Sequence, residues 1–380
     1  IVFTDYTPLP KHVVFVIDKS GSMSGQKMVQ TQDAMVTILG QLRANDKFTM
    51  ILFSSTNAYH PGQSMYFATQ YNIQRAKNYV RNMLRAGGGT NINSGLVQAC
   101  NILNQHNPSG NGSIVIFLTD GQPSSGVTNP SQITNNVLTS ANEKVQIFSL
   151  GFGNNLNFKL LKDASTVTEG RAKKIYEAKD AAKQLDDFYK QVEAAVIWNV
   201  QIDYASDVVA PGTISQTHFR QYFNGTEITV AGKLKEILPR NFTYNVKGQR
   251  QSGQIVLSDN KEISALTPST QNGIHMPAGH LEKLWAYMRI KYLYKEETTA
   301  KMKKQKDVQN SSYHEALGLA LKYKLVTPYT SMVTVEQDKP KADMAESKPA
   351  APVAAAAPRR TMKMVIYEFN LSILNKGPQK

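Results

Sequence analysis

Five oxygen-bearing side chains follow apolar or glycine-rich segments at three separate places in the sequence. They are Asp18, Ser20, Ser22, Thr90 and Asp120. The first three alternate after the apolar run 12–17, Thr90 follows three glycines, and Asp120 comes shortly after the apolar run 113–118. Carboxylate and hydroxyl oxygens suit a hard divalent cation such as Mg²⁺, or else Mn²⁺ or Ca²⁺. A zinc site would use histidine or cysteine, and neither belongs to this set.

The chemistry of these donors predicts how such a site would act. We expect the serines to bind the ion directly and one or both aspartates to reach it through water, because Mg²⁺ keeps several waters in proteins. Neutral hydroxyl ligands leave the ion electrophilic, so an open coordination position favours a carboxylate from a partner. The expected function is capture of an exposed Asp or Glu of a protein ligand.

Short apolar runs alternate with longer amphipathic segments between residues 11 and 196. The predicted strands are 12–17, 47–53, 113–118, 145–150 and a weaker 174–176. The predicted helices are 25–42, 71–85, 93–105, 130–142, 156–164 and 180–196. This alternation predicts an α/β fold with a doubly wound, mainly parallel sheet that is covered on both faces. Ligands bind such sheets at the carboxyl ends of the strands, where the three donor loops would meet.

The pattern changes after residue 196. Short segments separated by Gly and Pro predict a β-sandwich, with strands at 197–204, 226–230, 234–237, 241–247 and 254–257 and turns at 211–212, 224–225 and 248. Two helices follow, around 281–292 and 313–324. The predicted domains are a lead strand at 1–10, the α/β domain at 11–196, the sandwich with two helices at 197–335, a flexible linker at 336–361 and a terminal strand segment at 362–380.

Several motifs carry a resemblance to a known family. Asp-x-Ser-x-Ser at 18–22, Gly-Gly-Thr at 88–90 and Thr-Asp-Gly at 119–121 resemble the metal-ion-dependent adhesion site of von Willebrand factor type A domains. The segments 222–232, 284–287 and 321–332 resemble inter-alpha-trypsin inhibitor heavy chains. The resemblance implies a Rossmann-like type A domain inserted in a hybrid β-sandwich, and a secreted, non-enzymatic protein of cell adhesion or the extracellular matrix.

Two other functions stay open at this point. One is a structural matrix component that assembles into homo-oligomers through the type A domain. The other is a heavy chain that is linked to hyaluronan and associated with a serine protease inhibitor. Family members that form the hyaluronan ester are similar in ending at Asp-Pro-His, and this sequence contains no Asp-Pro pair, which argues against the covalent link.

Composition narrows the class of protein. The chain has 380 residues, a formal net charge of +14 and one cysteine, Cys100, which we interpret as a buried core residue. One cysteine closes no intrachain disulfide, and no run approaches the ~18 apolar residues of a membrane-spanning helix. Five Asn-x-Ser/Thr sequons favour a secreted glycoprotein. They begin at Asn111, Asn224, Asn241, Asn310 and Asn370.

Three short patterns have competing interpretations. The basic run Lys291 to Lys306 indicates either a solvated helix face and loop or a patch for glycosaminoglycans; without a recognised motif it does not favour nucleic acid. The donors at 18–22 suit a helix cap as well as a metal. Ser24-x-x-Lys27 matches a hydrolase pattern, but its partner motifs are missing, so no enzyme is predicted.

Overall fold

The computed structural model describes most of the chain. The described residues are 8–60, 62, 64–153, 156–175, 180–205, 207–223, 227–236, 240–262, 279–330 and, for the backbone, 364–369. The predicted linker and most of the predicted lead strand therefore lie outside the described residues. Within the described part, no helix is long and apolar enough to cross a membrane.

Seven strands form the first sheet. They are β1 (His12–Asp18), β2 (Lys47–Phe53), β3 (Asn57–His60), β4 (Tyr66–Phe67), β5 (Ser113–Thr119), β6 (Gln146–Phe152) and β7 (Ala172–Ile175). The order is β3-β2-β1-β5-β6-β7, and β4 also pairs with β2. Strands β2, β1, β5, β6 and β7 are parallel to one another, whereas β3 and β4 run antiparallel to β2.

Six helices cover both faces of this sheet. They are α1 (Gln26–Gly40), α2 (Gln70–Met83), α3 (Ile92–His106), α4 (Pro130–Ala141), α5 (Phe158–Val167) and α6 (Ala181–Lys190). Alternate residues of β1 enter different cores: Phe15 packs with α1, α2 and α6, and Val16 packs with α3, α4 and α5. Burial on both faces explains the continuous apolar strands. The predicted doubly wound α/β fold is confirmed.

The second half of the chain forms two smaller sheets and a helix pair. Its elements are β8 (Ala195–Tyr204), β9 (His218–Phe223), β10 (Ile228–Lys233), β11 (Asn241–Arg250), β12 (Gly253–Glu262), α7 (His280–Met302), α8 (Lys306–Lys322) and β13 (Met364–Phe369). A four-stranded sheet has the order β12-β11-β8-β9, and β10 pairs antiparallel with β13. Apolar residues of β10 share a core with those of β8 and β11.

The structure differs from the sequence expectations at several element boundaries. Strands β3, β4 and β9 were not predicted, and α7 continues ten residues beyond the expected 292 to Met302. The expected turn at Gly248 is wrong, because this residue lies inside β11. A Cβ there would lie 2.4 Å from Cγ2 of Ile197, so glycine permits a close approach of two strands.

Candidate functional site

Asp18 is the buried centre of the candidate site at the carboxyl end of β1. Its side chain is fully buried. Oδ1 accepts a hydrogen bond from the Ser20 backbone N–H at 2.7 Å, and Oδ2 accepts one from the Thr119 hydroxyl at 2.5 Å. Because β1 and β5 are adjacent and parallel, the residues that end these strands meet at one edge. The fold thus brings the first and third donor loops into direct contact.

A chain of hydrogen bonds joins the serines to the second carboxylate. The Ser20 and Ser22 hydroxyl oxygens are 3.0 Å apart and share a hydrogen bond. The Ser22 hydroxyl donates to Oδ1 of Asp120 at 2.7 Å. On its other side, Asp120 accepts from Nζ of Lys27 at 2.8 Å. Ser20 and Asp120 are buried, whereas Ser22 is exposed, so the cluster is open to solvent on one side.

Thr90 reaches the same place from the glycine-rich loop. The loop is tied to the first donor loop by two backbone hydrogen bonds, from Gly21 N–H to the Gly88 carbonyl (3.0 Å) and from Gly87 N–H to the Lys19 carbonyl (2.7 Å). Gly88 has φ +86°, a conformation that favours glycine. A Cβ on Gly121 would lie 3.4 Å from the Thr90 hydroxyl oxygen and 3.7 Å from that of Ser22, so both hydroxyls flank one point.

The electrostatics of the cluster favour a cation. Burial raises the pKa of Asp18 to about 6; hydrogen bonds from Thr119 and Ser20 oppose this shift, and the nearby charge of Asp120 adds to it. Two carboxylates in a buried space repel each other, and a divalent cation between them removes this cost. Among the described residues, no group of three or more His, Cys, Asp or Glu has the arrangement of a metal site. The cluster instead combines two carboxylates with the hydroxyls of Ser20, Ser22 and Thr90, a set of oxygen donors that suits a hard ion better than zinc.

The alternative interpretation of these residues as helix caps finds no support. Ser20 precedes the short 3₁₀ helix Gly21–Met23, but its side chain makes no capping hydrogen bond. The residue that precedes α1 is Gly25, which has no side chain to offer. The hydroxyls instead bond to each other and to Asp120.

Sequence reasoning missed three contributors to the cluster. Thr119 holds Asp18, Lys27 pairs with Asp120, and the Ser124 hydroxyl accepts from the Thr90 backbone N–H at 2.9 Å. Thr119 is the first residue of the Thr-Asp-Gly motif. Its position next to Asp120 was the one sequence signal that could have placed it in the cluster. Nothing in the spacing of Lys27 pointed to Asp120, which lies 93 residues away.

The candidate glycosylation sites are spread over the surface. Asn241 and Asn310 are exposed, and Asn111 is partly exposed with its carbonyl accepting from the Asn107 amide at 2.7 Å. Asn310 lies within α8, and Asn224 and Asn370 lie outside the described residues. Cys100 is fully buried on α3, and burial raises the pKa of its thiol to about 12, which fits a core residue.

Comparison with known proteins identifies the family of the α/β part of the chain. The von Willebrand factor type A domain family matches residues 12–191. This chain carries a von Willebrand factor type A domain. It is 36% identical over 348 residues to inter-alpha-trypsin inhibitor heavy chain H4 of Homo sapiens, covering 90% of this chain and 37% of that protein. It is 37% identical over 385 residues to human heavy chain H1, covering 98% of this chain and 40% of that protein.

The similarity to inter-alpha-trypsin inhibitor heavy chains confirms the resemblance found in the sequence. The chain spans about two fifths of the length of these relatives. A solved von Willebrand factor type A structure from Catenulispora acidiphila matches with a TM-score of 0.50 and 17% identity, covering 83% of this chain and 80% of that chain. At this identity the structural likeness shows the fold alone.

Proposed function

We propose that this chain belongs to a secreted adhesion or matrix protein whose type A domain binds a divalent cation and, through it, an acidic group of a protein partner. One observation carries the proposal. Two buried carboxylates and two serine hydroxyls form one hydrogen-bonded cluster at the carboxyl edge of the sheet, the Thr90 hydroxyl lies beside it, and Ser22 is exposed.

The proposed ligand set is the one expected from the sequence. It consists of Asp18, Ser20, Ser22, Thr90 and Asp120, with Mg²⁺ as the ion that fits this donor chemistry first and Mn²⁺ or Ca²⁺ next. When bound, the cation supplies an electrophilic centre for a carboxylate oxygen. Thr119 keeps Asp18 oriented through its 2.5 Å hydrogen bond, and the exposed Ser22 lies on the side from which a partner approaches.

The organisation of the chain and its location are part of the proposal. The five Asn-x-Ser/Thr sequons support secretion and glycosylation, and the asparagine of one of them, Asn241, is exposed. We propose the division into a type A domain at 11–196 and a hybrid β-sandwich with two helices at 197–335. Two features support it. The family match ends at residue 191, and the two parts have different apolar cores, although Phe223 of β9 packs into the first one.

Calorimetry with Mg²⁺ tests the proposed site. The wild-type chain is titrated with MgCl₂ after treatment with EDTA, in parallel with Asp18→Ala and with Asp33→Ala, an exposed aspartate on α1 that serves as the matched control. We expect one site in the wild type and in Asp33→Ala, and no binding in Asp18→Ala. Circular dichroism of each variant verifies that it is folded. Binding that survives in folded Asp18→Ala would show that the cation lies elsewhere.

A capture assay tests the second step. The immobilised wild type and the same two variants are exposed to native extracellular fluid with Mg²⁺ or with EDTA, and bound proteins are identified by mass spectrometry. A partner that the wild type and Asp33→Ala retain only with Mg²⁺, and that Asp18→Ala does not retain, supports the mechanism. A partner retained equally with EDTA contradicts it.

The names of the relatives favour a second candidate function. They are heavy chains of an inter-alpha-trypsin inhibitor, so this chain would associate with an inhibitor chain. This candidate predicts that trypsin-inhibiting activity co-purifies with the native protein and stays with it in EDTA. Trypsin inhibition that is absent from the purified native protein would exclude it.

A further inference from the structure

A large cavity lies at the amino edge of the first sheet, away from the candidate metal site. Gln146 begins β6 and lines this cavity, whereas Asp18 ends β1 at the other edge of the sheet. The cavity has a volume of about 1050 Å³ and is bounded by α5, β9, β10 and α7. Ligand pockets measure roughly 300–1,000 Å³, so this space holds an organic ligand of several rings together with water.

Positive charge predominates in the lining of the cavity. Lys162 and Lys291 form no ion pair with another described residue. Burial lowers the pKa of Lys162; Asp163 opposes this shift, and the charges of Lys159 and Lys291 add to it. An anion held between the two ammonium groups would remove their repulsion. The basic lining residues are Lys162, Arg171, Arg220, Lys291 and Lys295, and the acidic ones are Glu169 and Glu227.

Tyrosine rings lie beside these two cations. The Lys162 ammonium is 4.4 Å from the centre of the Tyr294 ring, and the Lys291 ammonium is 5.3 Å from the centre of the Tyr287 ring. Tyr287, Lys291 and Tyr294 are spaced by four and then three residues along α7, so they share one face of this helix. Tyr287 is 46% exposed, which leaves its ring accessible to a flat ligand. Nucleobases stack on such rings, and adjacent cations bind phosphate groups.

Two buried amide oxygens in the lining require hydrogen-bond donors. The side-chain oxygens of Gln146 and Gln221 have no partner among the described residues, although both residues are about nine-tenths buried or more. The Gln146 amide nitrogen donates to the Glu169 carbonyl at 3.0 Å, which leaves the amide oxygen as the open end. Buried acceptors of this kind are normally satisfied. Phosphate and carboxylate groups only accept at neutral pH, whereas the exocyclic amino group of a nucleobase donates. A ligand with anionic groups alone would therefore leave both oxygens unsatisfied.

Arg220 adds a guanidinium with donors to spare. Its Nη1 has no partner among the described residues, and its Nε lies 3.6 Å from Oε1 of Glu169, which is too far for a hydrogen bond. The Glu169 carboxylate is held instead by Nζ of Lys295 at 3.0 Å and by the Arg220 backbone N–H at 3.2 Å. Guanidinium groups bind phosphate through two parallel N–H donors, so Arg220 has the pair that a phosphate group accepts.

The charge of the lining indicates how many phosphate groups it would hold. Its basic side chains outnumber its acidic ones by three. A nucleoside di- or triphosphate carries about three or four negative charges at neutral pH, which balances this excess. The sequence contains no Gly-Lys-Ser or Gly-Lys-Thr triplet, so the phosphates would be held by side chains and not by the backbone of a phosphate-binding loop.

We propose that this cavity, named here the basic cleft, binds a nucleoside di- or triphosphate, with the base on Tyr287 and the phosphates at Lys162, Lys291 and Arg220. The inference goes beyond the proposed metal-dependent function and does not depend on it. It also changes the expectation for the run 291–306. Only Lys291 and Lys295 of that run line the cleft.

Probes that separate the base from the phosphates test the proposal. ATP, GTP, CTP and UTP are titrated calorimetrically into the full chain in EDTA at physiological salt, together with adenosine and with inorganic tripolyphosphate. We expect at least one nucleotide to bind at one site, tripolyphosphate to bind about tenfold or more weakly, and adenosine to bind more weakly still. Tripolyphosphate that binds as tightly as every nucleotide would show a site for phosphate alone and overturn the proposal. So would no binding of any of the nucleotides.

Paired charge-removal variants locate the phosphates. The double variant Lys162→Gln with Lys291→Gln removes two cations from the cleft. Its matched control, Lys301→Gln with Lys306→Gln, removes two exposed cations outside it. We expect the cleft variant to lose about tenfold or more in nucleotide affinity and the control to stay within about twofold of the wild type. Equal losses in the two variants would show nonspecific attraction to net charge and overturn the proposal. Thermal melting verifies that both variants are folded.

A ring-removal variant locates the base. Tyr287→Ala should lose about tenfold in nucleotide affinity and keep its affinity for tripolyphosphate, because only the base stacks on the ring. The matched control is Tyr71→Ala, which removes a tyrosine that is 70% exposed on α2, and it should bind nucleotides like the wild type. No loss in Tyr287→Ala, or an equal loss for tripolyphosphate, would overturn the proposal.

Other anionic ligands serve as competitors in the same titrations. A heparin hexasaccharide or a hexaglutamate peptide that binds more tightly than every nucleotide, and that loses this binding in the Lys162→Gln with Lys291→Gln variant, would also overturn the proposal. Because EDTA is present throughout, failure of the metal site does not affect the result.

Discussion

Buried carboxylates lie at both edges of the first sheet, and they differ in how far cationic side chains of the protein neutralise them. At the amino edge, Asp46 pairs with Lys11 at 2.6 Å, and both side chains are only 1% exposed. Asp46 also accepts from the backbone N–H groups of Lys11 and Arg43. At the carboxyl edge, Asp120 pairs with the partly exposed Lys27, while Asp18 has hydrogen bonds but no ion pair among the described residues.

This difference separates a structural ion pair from a candidate binding site. The amino-edge carboxylate of Asp46 is neutralised by Lys11 of the same chain, so it requires no bound cation. The carboxyl edge holds two buried carboxylates and one internal cation, and a divalent ion bound there would correct this imbalance of charge.

Removing the amino-edge cation should be severely destabilising. Lys11→Met leaves Asp46 buried and charged without a counter-ion, and we expect the free energy of unfolding to fall by about 3–5 kcal/mol. Urea denaturation measures the loss. The double variant Lys11→Met with Asp46→Asn removes both charges and should recover part of it. A loss below about 1 kcal/mol in the single variant would show that the pair is not structural.

Removing the hydroxyl that holds Asp18 should have the next largest effect. Thr119→Val leaves a buried carboxylate with one hydrogen bond fewer, and we expect a loss of about 2 kcal/mol in unfolding free energy. Thr31 is a matched control, because it is equally buried and its hydroxyl has no hydrogen-bond partner among the described residues. Thr31→Val should be nearly neutral in urea denaturation. Similar losses in the two variants would contradict a specific role for Thr119.

A histidine at the amino edge should make stability depend on pH. Burial lowers the pKa of His12 to about 4 from its usual 6.5, and the charge of Lys47 acts in the same direction. The unfolded chain therefore binds a proton on this group near pH 6.5, while the folded chain does not until about pH 4. The free energy of unfolding should fall as the pH drops through that window, by about 1–2 kcal/mol after allowance for solvent exposure.

The variant His12→Gln isolates this contribution. Urea denaturation between pH 4 and pH 7 should show a shallower loss of stability in His12→Gln than in the wild type. If the two pH profiles are parallel, His12 is not the group responsible.

Removing the internal cation at the carboxyl edge should have the smallest effect of the four changes. It should strengthen Mg²⁺ binding, whereas the other changes weaken stability. Lys27 competes with a divalent ion for Asp120, so Lys27→Met should bind Mg²⁺ about threefold to tenfold more tightly. Lys19→Met is the matched control, since it removes a nearby charge that has no hydrogen bond to Asp120. Calorimetry with MgCl₂ compares them. Weaker Mg²⁺ binding in Lys27→Met would mean that Lys27 supports the site instead of competing.

The sequence was sufficient to predict the five parallel strands of the first sheet and the donor loops, but not the antiparallel strands β3 and β4. Strands such as β1 and β5 are continuous apolar runs because both of their faces are buried, and each ends in its donor motif. Fold class and the convergence of Asp18 with Asp120 follow from that pattern alone. Strand β9 was missed because polar residues such as Arg220 and Gln221 interrupt its apolar pattern.

Features that depend on long-range contacts were not predictable from spacing. The pairing of Lys27 with Asp120 depends on the direction in which α1 starts after the first donor loop. No local sequence pattern predicts this direction. The cavity at the amino edge of the first sheet is lined by residues as distant in the sequence as Gln146, Arg220 and Lys291. In the sequence, Lys291 belongs to one basic run, but the helix turns its lysines toward different surroundings.

The most direct test of the proposed metal site is the location of the ion itself. Crystals of the wild-type chain grown with MnCl₂ would be measured at a wavelength where manganese scatters anomalously. We predict one strong anomalous peak among Asp18, Ser20, Ser22, Thr90 and Asp120. A well-ordered site without such a peak, or a sole peak elsewhere on the molecule, would contradict it.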